Sequence, residues 1–206
     1  MDHDSAASGR SSIFSEKDYD SGEGFQTPTW GPAAWHMLHT TSFNYPVRPT
    51  KEQKEHYAQW LLLWGKTLPC KYCRDNFTDN LSAAKFGNHV FKNRTTFSKF
   101  VYELHECVNN MLGKPPSGLS YEQVRDRYEL LRSRCLTEKQ KARKEAKMEE
   151  LGCTEASPGV PKSRCVLRIV PRDAEIKTFG VDRRCRVKQI EGGGAVCVEM
   201  SDNEEE

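Results

Sequence analysis

The sequence predicts an all-α core: a bundle of four helices with a short fifth, followed by a small cysteine-containing C-terminal extension of mixed or β-rich character. Three observations predict it. Apolar residues recur at helical spacing from about residue 30 to residue 135, with no strand-like alternation. Capping residues stand at the ends of those segments. Beyond about residue 152, β-branched residues and a triple glycine replace that pattern.

The first helix is read in "WGPAAWHMLHTTSFNYP", where Trp35, Leu38, His39 and Phe43 share a face and Pro46 ends the segment. In the second, Thr50 and Gln53 form a capping box, and Tyr57, Trp60, Leu61 and Trp64 make an apolar stripe. Pro69 opens the third at a position where proline is tolerated, with Cys70, Cys73 and Phe77 on one side. The fourth carries Phe97, Phe100, Val101, Leu104, His105, Val108 and Leu112 at the helical period, and Gly113 is its C-cap. Ser120 and Gln123 cap the short fifth, which turns Val124, Tyr128 and Leu131 inward.

These elements divide the chain. Residues 1–29 are expected to be a disordered leader, 30–135 the functional domain, 136–151 a charged, solvated helix, 152–200 a small cysteine-containing module, and 201–206 a disordered acidic end.

Composition excludes several classes. A net charge of +2 is too balanced for a dedicated nucleic-acid binder. No apolar run approaches the ~20 residues of a membrane span. The first residues lack the apolar core of a secretion signal, and their mixed charge fits a mitochondrial presequence poorly. The glycines of "SGEGF" follow no strand and open no helix, so they are not a phosphate loop. Eight cysteines without a secretion signal point to metal or redox chemistry rather than structural disulfides.

The pair in "LPCKYC" allows three readings. Zinc needs about four ligands, and His105 and Cys107 would be the remote partners of Cys70 and Cys73, at an awkward helical spacing. A thioredoxin-type site needs a strand before the pair, whereas here a helix precedes it. In the third reading a helix start favours the Cys70 thiolate, while Cys73, one turn deeper, faces whatever the bundle encloses. Such a pair can take electrons at one sulfur and hand them inward from the other. Dithiols react poorly with oxygen, and a flavin bridges that mismatch. Trp35 and His39 on the first helix, and His105 and Asn109 on the fourth, are spaced to present aromatic and polar groups to one site. Lys114 at the fourth helix's end could meet a phosphate.

Three stretches in order, "GPAAWHMLHTTSFNYP", "LPCKYCRDNF" and "LHECVNNMLGKP", resemble the Erv/ALR family of FAD-linked sulfhydryl oxidases, over about Trp30 to Tyr128. The resemblance is nearest to members from large cytoplasmic DNA viruses. It implies a helical bundle holding FAD without a dinucleotide-binding sheet, as a homodimer through the first two helices. Cys73 would pass electrons to FAD and Cys70 would meet incoming dithiols. Trp35, His39, Tyr45, His105, Val108, Asn109, Lys114 and Tyr128 would contact FAD. Two thiols and oxygen would give a disulfide and hydrogen peroxide. Thiol-containing proteins or a thioredoxin-like carrier would be the substrates. No nucleic acid, membrane or metal partner is expected. The compartment implied is the cytoplasm of an infected cell or a virion, with the mitochondrial intermembrane space as the alternative. The rival of another class is a non-enzymatic zinc-binding adaptor.

The chain departs from the family pattern in places. Pro32 and Glu106 stand where many relatives have Arg and Asn. The disulfide that relatives place at positions corresponding to Tyr102 and about Leu119 is absent. Cys107 is expected to be a buried free thiol. The leader has no cysteine to serve as a shuttle. Cys153, Cys165, Cys185 and Cys197 could form one, or structural disulfides, or a small metal site.

Overall fold

The computed structural model describes residues 15–147, together with residues 149, 152, 155–157, 162–163, 165–168, 179–181, 187–189 and 195–197. The core is helical, as the periodicity predicts. After a single turn, α1 (Glu16–Tyr19), come α2 (Thr27–Phe43) and α3 (Lys51–Lys66). Two short helices follow, α4 (Lys71–Asp75) and α5 (Phe77–Ala83), then a 3-10 turn at Asn88–Lys92. The long α6 (Arg94–Met111) packs chiefly against α2, and α7 (Tyr121–Glu129) lies across both.

Local chemistry sets these boundaries. Thr50 caps α3 by accepting from the Gln53 amide, while Gln53 accepts from the Thr50 amide. Ser120 and Gln123 repeat the arrangement on α7, and Asn93 with Thr96 on α6. Gly113 ends α6 with φ 64, a left-handed conformation that glycine adopts without strain. The expected third helix is two helices, because Asn76 (φ −89, ψ −3) breaks the run at the end of α4. Pro32 lies inside α2, which starts earlier than expected with Pro28 in its first turn.

The core between these helices holds Leu38, Tyr45, Leu61, Phe97, Val101 and Leu104, all essentially without exposure. Burying each such side chain contributes about 1.5–3 kcal/mol. Gly65 lets α3 approach α5: a Cβ there would stand 2.0 Å from the Phe77 ring. The Tyr102 hydroxyl donates to the Leu119 carbonyl at 2.8 Å, tying together the two positions that carry no disulfide. Glu106 accepts from the Ser117 amide of the same loop, at 3.3 Å.

Two expectations about the ends need correction. The leader was expected to be disordered through residue 29. Residues 27–29 instead begin α2, and residues 22–25 lie against the segment before α4, held by backbone hydrogen bonds. The charged extension is a helix, α8 (Glu138–Glu145), but it is not solvated all round: Lys144 is buried against Glu155, Nζ to Oε1 2.9 Å. Beside that ion pair, β1 (Ser133–Arg134), at the end of the 30–135 segment, pairs antiparallel with β2 (Glu155–Ala156). Beyond it, β3 (Cys165–Leu167) pairs with β4 (Phe179–Val181) and β5 (Val187–Gln189) with β6 (Ala195–Cys197), the last two flanking the triple glycine. Cys153, Cys185, residues 1–14 and the acidic end lie outside the described residues.

Candidate active site

The geometry of the CxxC pair starts from its backbone. Cys70 is the N-cap of α4, in an extended conformation (φ −150, ψ 120), and its sulfur accepts the Cys73 amide hydrogen at 3.2 Å. The helix therefore begins at Lys71, two residues later than a helix opened by Pro69 would. The two sulfurs stand 2.7 Å apart as free thiols, and the Thr27 hydroxyl lies 4.0 Å from each.

The two thiols differ. Partial burial pushes the Cys70 thiol up, but hydrogen bonds from the Cys73 side chain and amide, the Thr27 hydroxyl and the Arg74 charge outweigh it. Cys70 ends below its ordinary value. Burial pushes Cys73 up, and the hydrogen bond to Cys70 and the charge there add to it, to about 11. The pair thus favours a thiolate on Cys70 and a proton on Cys73.

Behind Cys73 opens a cavity of about 720 Å³, within the roughly 300–1,000 Å³ typical of ligand sites. Cys73 lines it and Cys70 does not. Of the residues expected to contact a cofactor, Trp35 and His39 from α2, His105, Val108 and Asn109 from α6, Lys114 beyond it and Tyr128 from α7 all line this cavity. Tyr45 does not. It is buried in the core, donating its hydroxyl to the Phe91 carbonyl at 2.9 Å, because the turn after α2 directs it toward Phe97 and Tyr57 instead. Sequence reading missed Trp30, Trp64, Phe77 and Thr27 on the wall. Trp64 was legible only as part of a core stripe. It contacts Trp35 edge-on at 6.4 Å and Phe77 at 5.9 Å.

The wall is largely aromatic and apolar, and among the described residues that line it Lys114 is the one charged side chain. Trp35 and His105 stack at 3.9 Å and 8°. His39 Nε2 meets His105 Nδ1 at 3.1 Å. Burial, then the neighbouring His105 and His36, push His39 down to about 3. Burial is also the main cause that brings His105 to about 4, with the Lys114 charge adding to it against an opposing pull from Glu106. Both imidazoles are neutral at pH 7. His39 Nδ1 is buried and, among the described residues, has no hydrogen-bond partner. Such an orphan costs about 1–3 kcal/mol unless something supplies a partner. Tyr128 packs over His39 and Phe43, with its hydroxyl 3.3 Å from His36 Nδ1.

The zinc alternative needs Cys70, Cys73, His105 and Cys107 to converge. Among the described residues no group of three or more His, Cys, Asp or Glu side chains does so.

A helical bundle that encloses an aromatic cavity, with a close-set thiol pair half in its wall, defines a dithiol module built without a sheet. Residues 32–129 match the model of the Erv1/Alr family, which bears out the resemblance drawn from the three motifs. A protein of Acanthamoeba polyphaga mimivirus, named a probable FAD-linked sulfhydryl oxidase, is 32% identical over 85 residues, covering 41% of this chain and 59% of that protein. The FAD-linked sulfhydryl oxidase ERV1 of Arabidopsis thaliana is 33% identical over 86 residues, covering 41% and 42%. The chain thus spans about half the length of these relatives. The crystal structure of the FAD binding domain of Erv1 from Saccharomyces cerevisiae aligns with a TM-score of 0.45 at 24% identity, over 51% of this chain and 95% of that one.

Proposed function

We propose that the chain is an FAD-dependent thiol oxidase that makes disulfides in substrate proteins. One observation carries the reading: Cys73 forms part of the cavity wall while its partner Cys70, the more acidic thiol, stays outside. The entry sulfur and the exit sulfur are thereby separated by one turn of backbone. The names of the viral and plant relatives support the same reading.

The cavity suits FAD. Flat aromatic walls, neutral imidazoles, the orphaned His39 Nδ1 and a cation at Lys114 match a ring system with polar edges and a diphosphate. Trp35, His39, His105, Val108, Asn109, Lys114 and Tyr128 would hold it. When bound, FAD supplies an acceptor for two electrons that also reacts with oxygen, yielding hydrogen peroxide.

The chain's own residues perform the thiol–disulfide exchange. A substrate thiolate attacks Cys70 Sγ in the oxidised pair, the Cys70–Cys73 bond breaks, and Cys73 leaves as the thiolate. The substrate's second thiolate attacks the mixed disulfide and releases Cys70. The substrate has lost two electrons and the pair has gained them. Of the two thiol protons, one returns to Cys73 and the other passes to water. The neutral His39 and His105 keep charge out of the wall behind Cys73.

The exposed Met37, Leu62 and Leu63 on α2 and α3 support a homodimer through those helices. Substrates would be thiol-containing proteins or a thioredoxin-like carrier, in the cytoplasm of an infected cell or a virion. No helix of the described residues is long and apolar enough to cross a membrane. Purified protein tests the reading: it should be yellow, with flavin absorbance near ~450 nm, and should consume oxygen with dithiothreitol. Colourless protein that leaves oxygen untouched would refute it.

A further inference from the structure

We propose that residues Glu23–Phe25 are a backbone clamp that positions Cys70 for thiol–disulfide exchange, locked at one end by Arg74. This rests on the reading of Cys70 as the entry thiol.

Both peptide groups around Cys70 are pinned. The Phe25 amide donates to the Pro69 carbonyl at 2.6 Å, and the Lys71 amide donates to the Glu23 carbonyl at 2.7 Å. Gly24 sits directly opposite Cys70 in this antiparallel bridge. Only glycine suits that place. Its φ is 93, and a Cβ there would stand 2.4 Å from the Pro69 carbonyl oxygen and 2.8 Å from its carbon, both backbone atoms that cannot swing aside.

Arg74 closes the clamp from the helix side. Its guanidinium spans both chains, Nη1 donating to the Leu68 carbonyl at 2.6 Å and Nη2 to the Gly22 carbonyl at 2.8 Å. Lysine could not make that fork. The Trp30 indole donates to the Phe25 carbonyl at 3.3 Å and anchors the other end to α2. Thr27, two residues after the clamp, thereby comes within 4.0 Å of both sulfurs.

The pinned backbone has a chemical consequence. An N-cap must stay outside helical φ/ψ for its side chain to reach back to the third amide of the helix. Released from Gly24, Cys70 could relax into the first turn of α4 and lose the Cys73 amide. The groups that face Cys70 are Cys73, Thr27 and Arg74. The neighbouring Lys71 is occupied by Asp75 at 2.6 Å. All three depend on the geometry that the clamp maintains. Residues 22–26 are exposed, so the clamp is held by these polar contacts alone. Each contributes about 1 kcal/mol, which leaves the segment near the low end of local stability.

The test uses the reduced full-length chain. Alkylation by iodoacetamide is followed from pH 5.5 to 9.5 and read by mass spectrometry. Trypsin separates the two thiols, leaving Cys70 in Thr67–Lys71 and Cys73 in Tyr72–Arg74 of the parent chain. In Gly24→Ala the pH midpoint for Cys70 should rise by about one unit, which is roughly tenfold less thiolate at pH 7. Arg74→Lys, which keeps the charge but not the fork, should move it the same way. An unmoved midpoint in Gly24→Ala, even with faster alkylation at every pH, would mean that the segment only covers Cys70, and would overturn the proposal. So would an unmoved midpoint in Arg74→Lys. The readout needs neither flavin nor oxygen, so a failure of the oxidase reading would be seen separately.

Discussion

His39 and His105 touch through their ring nitrogens, 3.1 Å apart, yet neither is charged at neutral pH. They come from different helices, α2 and α6, and both are deep in the cavity wall. Their contact makes the wall sensitive to acid.

Both histidines titrate near 6.5 when unfolded, but at about 3 and about 4 in the folded chain. Between pH 6.5 and pH 4 the unfolded state therefore binds protons that the folded state does not. Stability is full above pH 6.5 and falls as pH drops through that window. The melting temperature of the flavin-free protein should decline over this range. His39→Gln should flatten the decline, and an equally steep decline in that variant would contradict the assignment.

His105→Ala removes the ring that stacks on Trp35 and faces His39. Flavin content after purification should fall. With it should go the stabilisation that a ligand gives only to the folded state, about 2.7 kcal/mol at a hundredfold excess over its dissociation constant. Spectra of the purified variant and thermal melts with added FAD check this. Unchanged flavin content would count against His105 as a contact.

Tyr45→Phe should behave differently. It strips the partner from a buried Phe91 carbonyl at a cost of about 1–3 kcal/mol, with flavin content unchanged. Chemical denaturation and the visible spectrum separate the two effects. Lost flavin without lost stability would return Tyr45 to the site.

Gly65→Ala forces a methyl into the Phe77 ring at 2.0 Å. Overpacking of this kind costs about 1–3 kcal/mol. Because Phe77 also lines the cavity, flavin affinity should fall along with stability in denaturation and titration experiments.

Much of this was legible in the sequence because its determinants are local. The capping boxes at Thr50 and Ser120 and the glycine at 113 mark helix ends through side chains a few residues apart. The cavity residues on α2 and α6 were legible because 3.6-residue spacing brings Trp35 to His39, and His105 to Asn109. What was not legible depends on backbone or on distant packing. The Glu23–Phe25 pairing uses main-chain groups that any sequence carries, and its one signal is Gly24. Trp64 and Phe77 look like core on any helical wheel, since only tertiary packing shows that a cavity lies beyond them. Tyr45 sits beside the motif that suggested it, but the turn after α2 points it away.

The sulfur that meets the cavity is the centre of the account. Cys73→Ser in the full-length chain, assayed for bound flavin and for oxygen uptake with dithiothreitol, tests it most directly. The account predicts yellow protein whose oxygen uptake drops to the level without enzyme. Turnover retained by that variant would contradict it.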